Sequence, residues 1–343
     1  MKNILIDTIQ GRFHNRPPVW FMRQAGRILP EYLNLRKKYS FDELMKNKTL
    51  ASKVTRMPVD TLGVDAAILF SDILIIPNAL GLDLEFTDKG PIFKNPLNVK
   101  DFNFSNLSLN ENTLKHVYEN INQVKADLNN NVPLLGFCGG PLTTLLFMFR
   151  GSTDHKNFEG LLSLFYSNKK KFLDLIEIIT DASIKYVKNQ ISSGIDCFQL
   201  FETYCGIMPS KEYCDYILPF SNKILKASKD MNCPTIFFPK NLNNGLKNLE
   251  KKYCDYVSID WQIDLEYARE LLEADIGIQG NMDPRFFYSN EQEIKNYLYS
   301  LVDFGSKNHN WIFNLGHGFQ PGINYEKVIF LVELIKNLNW KRK

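Results

Sequence analysis

Apolar residues along this chain gather in short continuous runs, at residues 19–22, 66–70, 134–137, 197–201, 235–238, 256–259, 276–278 and 311–315. Unbroken rather than alternating polarity marks strands covered on both faces, as in a parallel sheet. Between the runs lie stretches with apolar residues three and four apart, such as Leu161-Leu162-Leu164-Phe165 and Leu265-Ala268-Leu271-Leu272. That is the period of a helix with one buried face. Eight such units predict an α/β fold, a single (β/α)8 TIM barrel with its active site at the C-terminal ends of the strands. A doubly wound open sheet is the rival, because both arise from right-handed βαβ crossovers. The spacing predicts short helices around 256–276, a loop and helix excursion around 81–131, and an extended N-terminal segment over 1–17. No linker or composition shift divides the chain, so one domain over 1–343 is expected.

Composition narrows the class. With 44% hydrophobic and 23% charged residues the chain has the make-up of a globular protein with a sizeable core. Its 41 basic and 38 acidic residues leave a net charge of +3, which gives no reason to expect a nucleic-acid partner. Asp7 interrupts the start before a signal-like apolar stretch can form, and no run of about 18 uncharged apolar residues follows. No membrane partner is expected. Six cysteines without a C-x-x-C pair read as reduced thiols, and a cytoplasmic location follows.

In a barrel of this kind the chemistry sits just beyond each strand. Arg23-Gln24-Ala25-Gly26-Arg27 follows the first run and Arg36 comes soon after; guanidinium forks suit carboxylates or phosphates. Asp72 stands in Ile68-Leu69-Phe70-Ser71-Asp72-Ile73-Leu74. An acid in such company either caps the next helix or waits for a cation or N–H donor. Cys138-Gly139-Gly140, Glu202-Thr203-Tyr204, Lys240, Asp260-Trp261, Gln279-Gly280-Asn281 and Gly316-His317-Gly318 complete the rim, with the glycines beside His317 expected to let backbone approach a ligand. H-E-x-x-H, H-x-C, C-x-x-C, G-x-G-x-x-G, the P-loop and G-x-S-x-G are all absent. The residues alone therefore point to a cofactor-independent barrel with an arginine-lined site for a small polyanion.

The stretch from Pro18-Val19-Trp20-Phe21-Met22-Arg23-Gln24-Ala25-Gly26-Arg27 through Ile28-Leu29-Pro30-Glu31-Tyr32 resembles the signature of the uroporphyrinogen decarboxylase family. Phe70-Ser71-Asp72-Ile73-Leu74, Gln199-Leu200-Phe201-Glu202-Thr203, Gln279-Gly280-Asn281-Met282-Asp283-Pro284 and Asn314-Leu315-Gly316-His317-Gly318 agree in the same order. The resemblance implies a barrel, a homodimer, no cofactor and no metal, and removal of CO2 from the four acetate side chains of uroporphyrinogen III to give coproporphyrinogen III. Protonation of a pyrrole carbon makes the substrate its own electron sink. Asp72 and Arg23 are the implied catalytic groups, Asp72 gathering pyrrole N–H groups and Arg23, or a group it holds, supplying a proton. Arg27, Arg36, Gln24, Ala25, Phe147, Thr203 and His317 are implied in substrate binding.

The chain departs from the family pattern at several places. Phe147 stands where a tyrosine is usual, Ile28 for tyrosine, Leu142 for tryptophan, Arg150 for glutamate, and Gly322-Ile323 for Thr-Pro. Loss of the hydroxyl at 147 implies turnover slower by roughly 10- to 100-fold. The alternatives are a slow or non-catalytic tetrapyrrole-binding paralogue and, further off, a corrinoid-dependent methyltransferase, which needs zinc and thiolate ligands.

Overall fold

The N–H groups of Val19, Phe21 and Met22 donate to the side chains of Asp65, Gln24 and Asn314, and so are withdrawn from any strand ladder. In the computed structural model, which describes residues 3–87, 90–98, 107–129, 132–150 and 158–342, the expected strand at 19–22 is accordingly a single parallel bridge between Val19 and Phe313. Phe313 N–H donates to Pro18 O at 2.9 Å, and Asp65 N–H donates to Val19 O at 2.8 Å. The Asp65 carboxylate accepts the Val19 N–H at 2.8 Å and both ends of the Arg16 guanidinium at 2.7 and 2.8 Å. The Pro18–Trp20 backbone is thus pinned between the last strand and the approach to the first.

The other seven runs form strands of one parallel sheet: β1 (Ala67–Ile68), β4 (Leu134–Gly139), β5 (Cys197–Glu202), β6 (Thr235–Pro239), β7 (Tyr256–Ser258), β8 (Gly277–Met282) and β9 (Trp311–Leu315). Each pairs with its successor in that order, and the bridge at Val19 joins the two ends. The fold is a (β/α)8 barrel whose first strand is reduced to one residue. β4, β5, β6, β8 and β9 are buried along almost their whole length, which is why their sequences are continuous rather than alternating. Helices at Pro141–Arg150, Lys169–Ser192 and Leu218–Lys229 cover the outside. The helix after β7 is the short Leu265–Leu271, as the spacing predicts.

Inside the barrel, polar side chains close on one another. Trp20 Nε1–H donates to Gln279 Oε1 at 3.0 Å, and Gln279 Nε2–H donates to Gln199 Oε1 at 3.2 Å and Ser258 Oγ at 3.0 Å. Three strands and the first segment are thereby held in register, by Trp20, Gln199 and Gln279 from the resemblance blocks together with Ser258. A buried network of this kind is stabilising only when its members are paired.

Two expectations are refined. The 81–131 excursion holds an antiparallel hairpin, β2 (Leu84–Thr87) with β3 (Gly90–Phe93), then a turn at Glu111–Leu114 and a helix at Lys115–Leu128. The hairpin was missed because Gly90-Pro91 lacks strand propensity, and residues 88–89, 99–106 and 130–131 lie outside the described part. The N-terminal segment is not extended throughout: Ile4–Ile9 is a helix capped by Asn3, whose side chain accepts the Ile6 N–H at 3.2 Å. Tyr256 Oη–H, from the start of β7, donates to Thr8 O at 3.2 Å, so this helix sits at the barrel end opposite the strand C-termini.

Candidate active site at the strand C-termini

Arg23 occupies an unusual backbone position on the rim. It has φ +61°, a left-handed conformation that disfavours a side chain with a Cβ. The loop around it is tied down on every side. Met22 N–H donates to Asn314 Oδ1 at 3.1 Å, Phe21 N–H donates to Gln24 Oε1 at 2.9 Å, and Gln24 Nε2–H donates to Ala66 O at 2.8 Å. Gln24 is fully buried with both ends of its amide engaged by backbone, so its part is to hold the loop rather than to reach a ligand. Ala25 is half-buried beside it.

The glycines flanking His317 do something other than expected. A Cβ at Gly318 would overlap the Arg23 side chain, and one at Gly316 would overlap the backbone of Asp260 and Trp261. They make room for protein atoms, and Gly318 in particular lets Arg23 lie across β9's outlet. His317 is half-buried between the rings of Phe238 and Trp261, at 6.3 and 6.5 Å between centroids. Burial, with Arg23 and Lys240 adding repulsion, pushes its pKa down to about 3. It is therefore a neutral imidazole at physiological pH, a hydrogen-bonding group rather than a charge.

Asp72 follows β1. Its Oδ1 accepts the Leu74 N–H at 2.8 Å, which braces the turn after β1, but the next helix, Ile75–Ala79, begins at Leu74 without a side-chain cap, so Asp72 does not cap it. It also retains partial exposure at the rim. Burial raises its pKa to about 6, against the Leu74 N–H and the Arg23 charge, which favour the carboxylate. Arg23 feels Asp72 in return: loss of solvent lowers the guanidinium pKa, Asp72 and Tyr204 raise it, and Arg27 lowers it.

Charge balance around this acid is lopsided. Arg12, Arg16, Arg56 and Arg285 each have a carboxylate partner. Among the described residues Arg23, Arg27, Arg36 and Lys240 have none within ion-pair distance. Arg36, in the last turn of the Pro30–Arg36 helix, donates to Tyr39 O at 2.8 Å, and both Arg27 and Arg36 act electrostatically on Tyr32. Lys240, at the end of β6, lies 5.6 Å from the Trp261 ring centroid. Unneutralised cations gathered on one rim are what a polyanionic ligand requires.

A second buried acid was not singled out by sequence reasoning. Glu202, the last residue of β5, is fully buried and accepts from Thr143 N–H at 2.6 Å, Leu142 N–H at 3.2 Å and the Thr143 hydroxyl. Burial raises its pKa to about 7, with these donors opposing. It caps the helix Pro141–Arg150 from a neighbouring strand, and Gly140 gives it space. The signal lay in Gly139-Gly140-Pro141 and the strand-terminal Glu, but their meeting needs the β4–β5 pairing. Thr203 follows, half-buried, and Tyr204 packs edge-on against Phe147 at 5.6 Å. Glu202→Ala should leave two buried helix N–H groups unpaired, lowering stability by about 2–4 kcal/mol, or about 3–6 °C in melting temperature for a chain of this length; a melting temperature within about 1 °C of the parent, the change a fraction of a kcal/mol produces, would contradict the capping role.

A separate cavity of about 450 Å³, lined by Asp42, Lys46, Asn78, Asp83, Phe86 and His116 among others, contains none of the predicted site residues. Among the described residues no three His, Cys, Asp or Glu side chains come together as metal ligands would, and no helix is long and apolar enough to cross a membrane.

The same residues can be set beside known proteins. Residues 2–338 match the family model described as uroporphyrinogen decarboxylase (URO-D). Curated relatives named uroporphyrinogen decarboxylase include one from Geobacter metallireducens, 35% identical over 99% of this chain and 100% of its own length. Another, from Wigglesworthia glossinidia brevipalpis, is 36% identical over 95% of this chain and 92% of its own. Among solved structures, a methyltransferase from Methanosarcina mazei superposes with a TM-score of 0.81 at 17% identity, covering 97% of both chains, a likeness of fold alone. The signature loop that bends to hold Arg23, the strand-end acid beneath it and the full-length matches all lead to one statement: this chain belongs to the uroporphyrinogen decarboxylase family.

Proposed function

We propose that this chain removes CO2 from the four acetate side chains of uroporphyrinogen III, giving coproporphyrinogen III, without a cofactor. The observation that carries the reading is the convergence on one rim of a partly buried carboxylate, Asp72, with cations that lack acidic partners among the described residues. The substrate is a carboxylate-rich ring that is neutral at its pyrrole nitrogens. Arg27, Arg36 and Lys240 would bind peripheral carboxylates. Protonating a pyrrole carbon places positive charge at the ring, and Asp72 stabilises that charge where it develops, in the transition state. CO2 leaves with its bonding electrons passing into the ring, the exocyclic methylene takes up a proton to become the methyl, and the ring carbon gives back the proton it first accepted, restoring the neutral pyrrole. Arg23, whose charge is favoured by Asp72 and opposed by Arg27, would hold the reacting acetate. His317, uncharged, would hydrogen-bond substrate without adding repulsion to the cation. Thr203, Ala25 and Phe147 line the approach in this reading, in a single-domain, cytoplasmic homodimer; sedimentation of the purified protein reads the dimer.

Anaerobic incubation with uroporphyrinogen III tests the function. Products with seven, six, five and then four carboxylates should accumulate in turn. kcat/KM should decline about tenfold per pH unit below about pH 6, as the Asp72 carboxylate takes up a proton. Between pH 4 and 6 His317 contributes no further limb, because its pKa lies near 3. Tight tetrapyrrole binding with no CO2 released would instead mark a binding paralogue, and stoichiometric zinc in the active protein would reopen the methyltransferase reading.

A further inference from the structure

Tyr204 stands on the wall of the rim next to Thr203, and its hydroxyl is used in only one direction. Arg150, three residues beyond Phe147 on the same helix, donates from Nη1 to Tyr204 Oη at 3.1 Å. The guanidinium carbon lies 5.8, 5.7 and 6.0 Å from the ring centroids of Phe147, Phe158 and Tyr204. The Tyr204 ring is clamped edge-on by Phe147 and tilted against Phe158, both at 5.6 Å, and the Tyr204 backbone N–H donates to Thr143 Oγ1 at 3.1 Å. The ring is therefore fixed without help from the hydroxyl. Since Oη accepts from Arg150, its own O–H is left to donate, and among the described residues no protein acceptor takes it. A phenol that accepts from a guanidinium is polarised into a stronger donor. Phe147 and Phe158 bring no polar atom to this wall, and Tyr204 is close enough to Arg23 to act on its charge.

We propose that Tyr204, held and polarised by Arg150, donates its phenol hydrogen to a carboxylate of the bound tetrapyrrole next to Arg23, making Tyr204 and Arg150 a specificity-determining carboxylate subsite of this chain. The inference rests on the functional reading above. It also gives a joint meaning to two of the departures noted in the sequence. Phe147 and Arg150 lie one helical turn apart and both bear on Tyr204, the first packing its ring and the second holding its oxygen.

Tyr204→Phe removes one oxygen and keeps the ring. KM for uroporphyrinogen should rise about tenfold or more, the range of a hydrogen bond to a charged group, with kcat changed by less than about twofold if ground and transition states share the contact. The melting temperature should stay within about 2 °C, because the aromatic clamp remains. Arg150→Met should raise KM in the same direction by a smaller factor, and Arg150→Lys, which keeps a donor, should restore part of it. Binding of oxidised uroporphyrin, followed by quenching of its fluorescence, should weaken in parallel in the Tyr204→Phe variant. A KM and uroporphyrin affinity within about twofold of the parent would overturn the subsite. So would a KM rise accompanied by a melting temperature lowered by more than about 5 °C, which would assign Tyr204 to structure. If the parent itself releases no CO2, the functional reading fails, and the uroporphyrin titration alone decides the subsite.

Discussion

Asp72→Asn should lose activity by a factor of about 10³ while making the protein more stable. The loss follows from chemistry. Charge appears on the tetrapyrrole only after ring protonation, so a carboxylate positioned for it acts on the transition state and hardly on the ground state, and removal of such a group typically costs 10²–10³ in kcat. The amide can still accept the Leu74 N–H, the contact that Oδ1 makes at 2.8 Å, so the turn after β1 survives. The gain in stability follows from the pKa. Burial raises the Asp72 pKa to about 6, above its value in the unfolded chain. The folded state therefore binds the extra proton between about pH 4 and 6. The contribution of this group to stability is present below that window and is lost as pH rises through it. At neutral pH the ionised carboxylate opposes folding, and with partial solvent access the amide should relieve roughly 1 kcal/mol, a rise of about 1–2 °C in melting temperature for a chain of this length. The variant should also lose the acidic limb near pH 6 from whatever activity remains. Turnover within a few-fold of the parent would remove Asp72 from the mechanism, whatever the melting curve shows.

Arg23→Ala should reduce kcat/KM by about 10²–10³, the scale of a lost guanidinium–carboxylate contact in a partly desolvated site. Arg23→Gly separates this from backbone effects. At φ +61° a glycine avoids the clash that a Cβ meets, so Arg23→Gly should be as inactive as the alanine variant yet more stable than it by about 0.5–1 kcal/mol. That combination, measured by product separation and by thermal melting, would show that the left-handed turn is kept for its side chain. Strain concentrated at a working group is a common arrangement. An active Arg23→Gly enzyme would place the guanidinium outside the reaction. Gly318→Ala makes the same point from the other side, because the added methyl would displace the Arg23 side chain from its seat on β9's outlet.

Much of the site was legible because barrel chemistry is written at strand ends. Asp72 stands out as an acid among Ile, Leu and Phe, and Arg23 and Arg27 as cations beside Gly26. Gln24 shows the limit. Its place in the signature suggested a contact with substrate, but its amide is turned inward to Phe21 and Ala66, a direction set by which backbone groups lie within reach after folding. Glu202 was visible only as one polar residue among several. Its importance comes from pairing β4 with β5, which brings its carboxylate under the N-terminus of the Pro141–Arg150 helix. Lys240 likewise looks ordinary in sequence; its lack of an acidic partner among the described residues is what gives it weight.

The local code therefore determined the number and kind of elements, since continuous apolar runs and helical spacing depend on residues near one another in the chain. It also determined the family, through a signature long enough to need no coordinates. The tertiary structure decided how the barrel closes, by one bridge at Val19 because side chains of Asp65, Gln24 and Asn314 take the neighbouring N–H groups, and which polar groups face one another across strands. Pairings such as Trp20 with Gln279, Arg23 with Gly318, and Tyr204 with Arg150 join residues from 54 to 295 positions apart or less obvious in order. Hydrogen bonding and charge act through distance in space, and chain closure alone sets that distance.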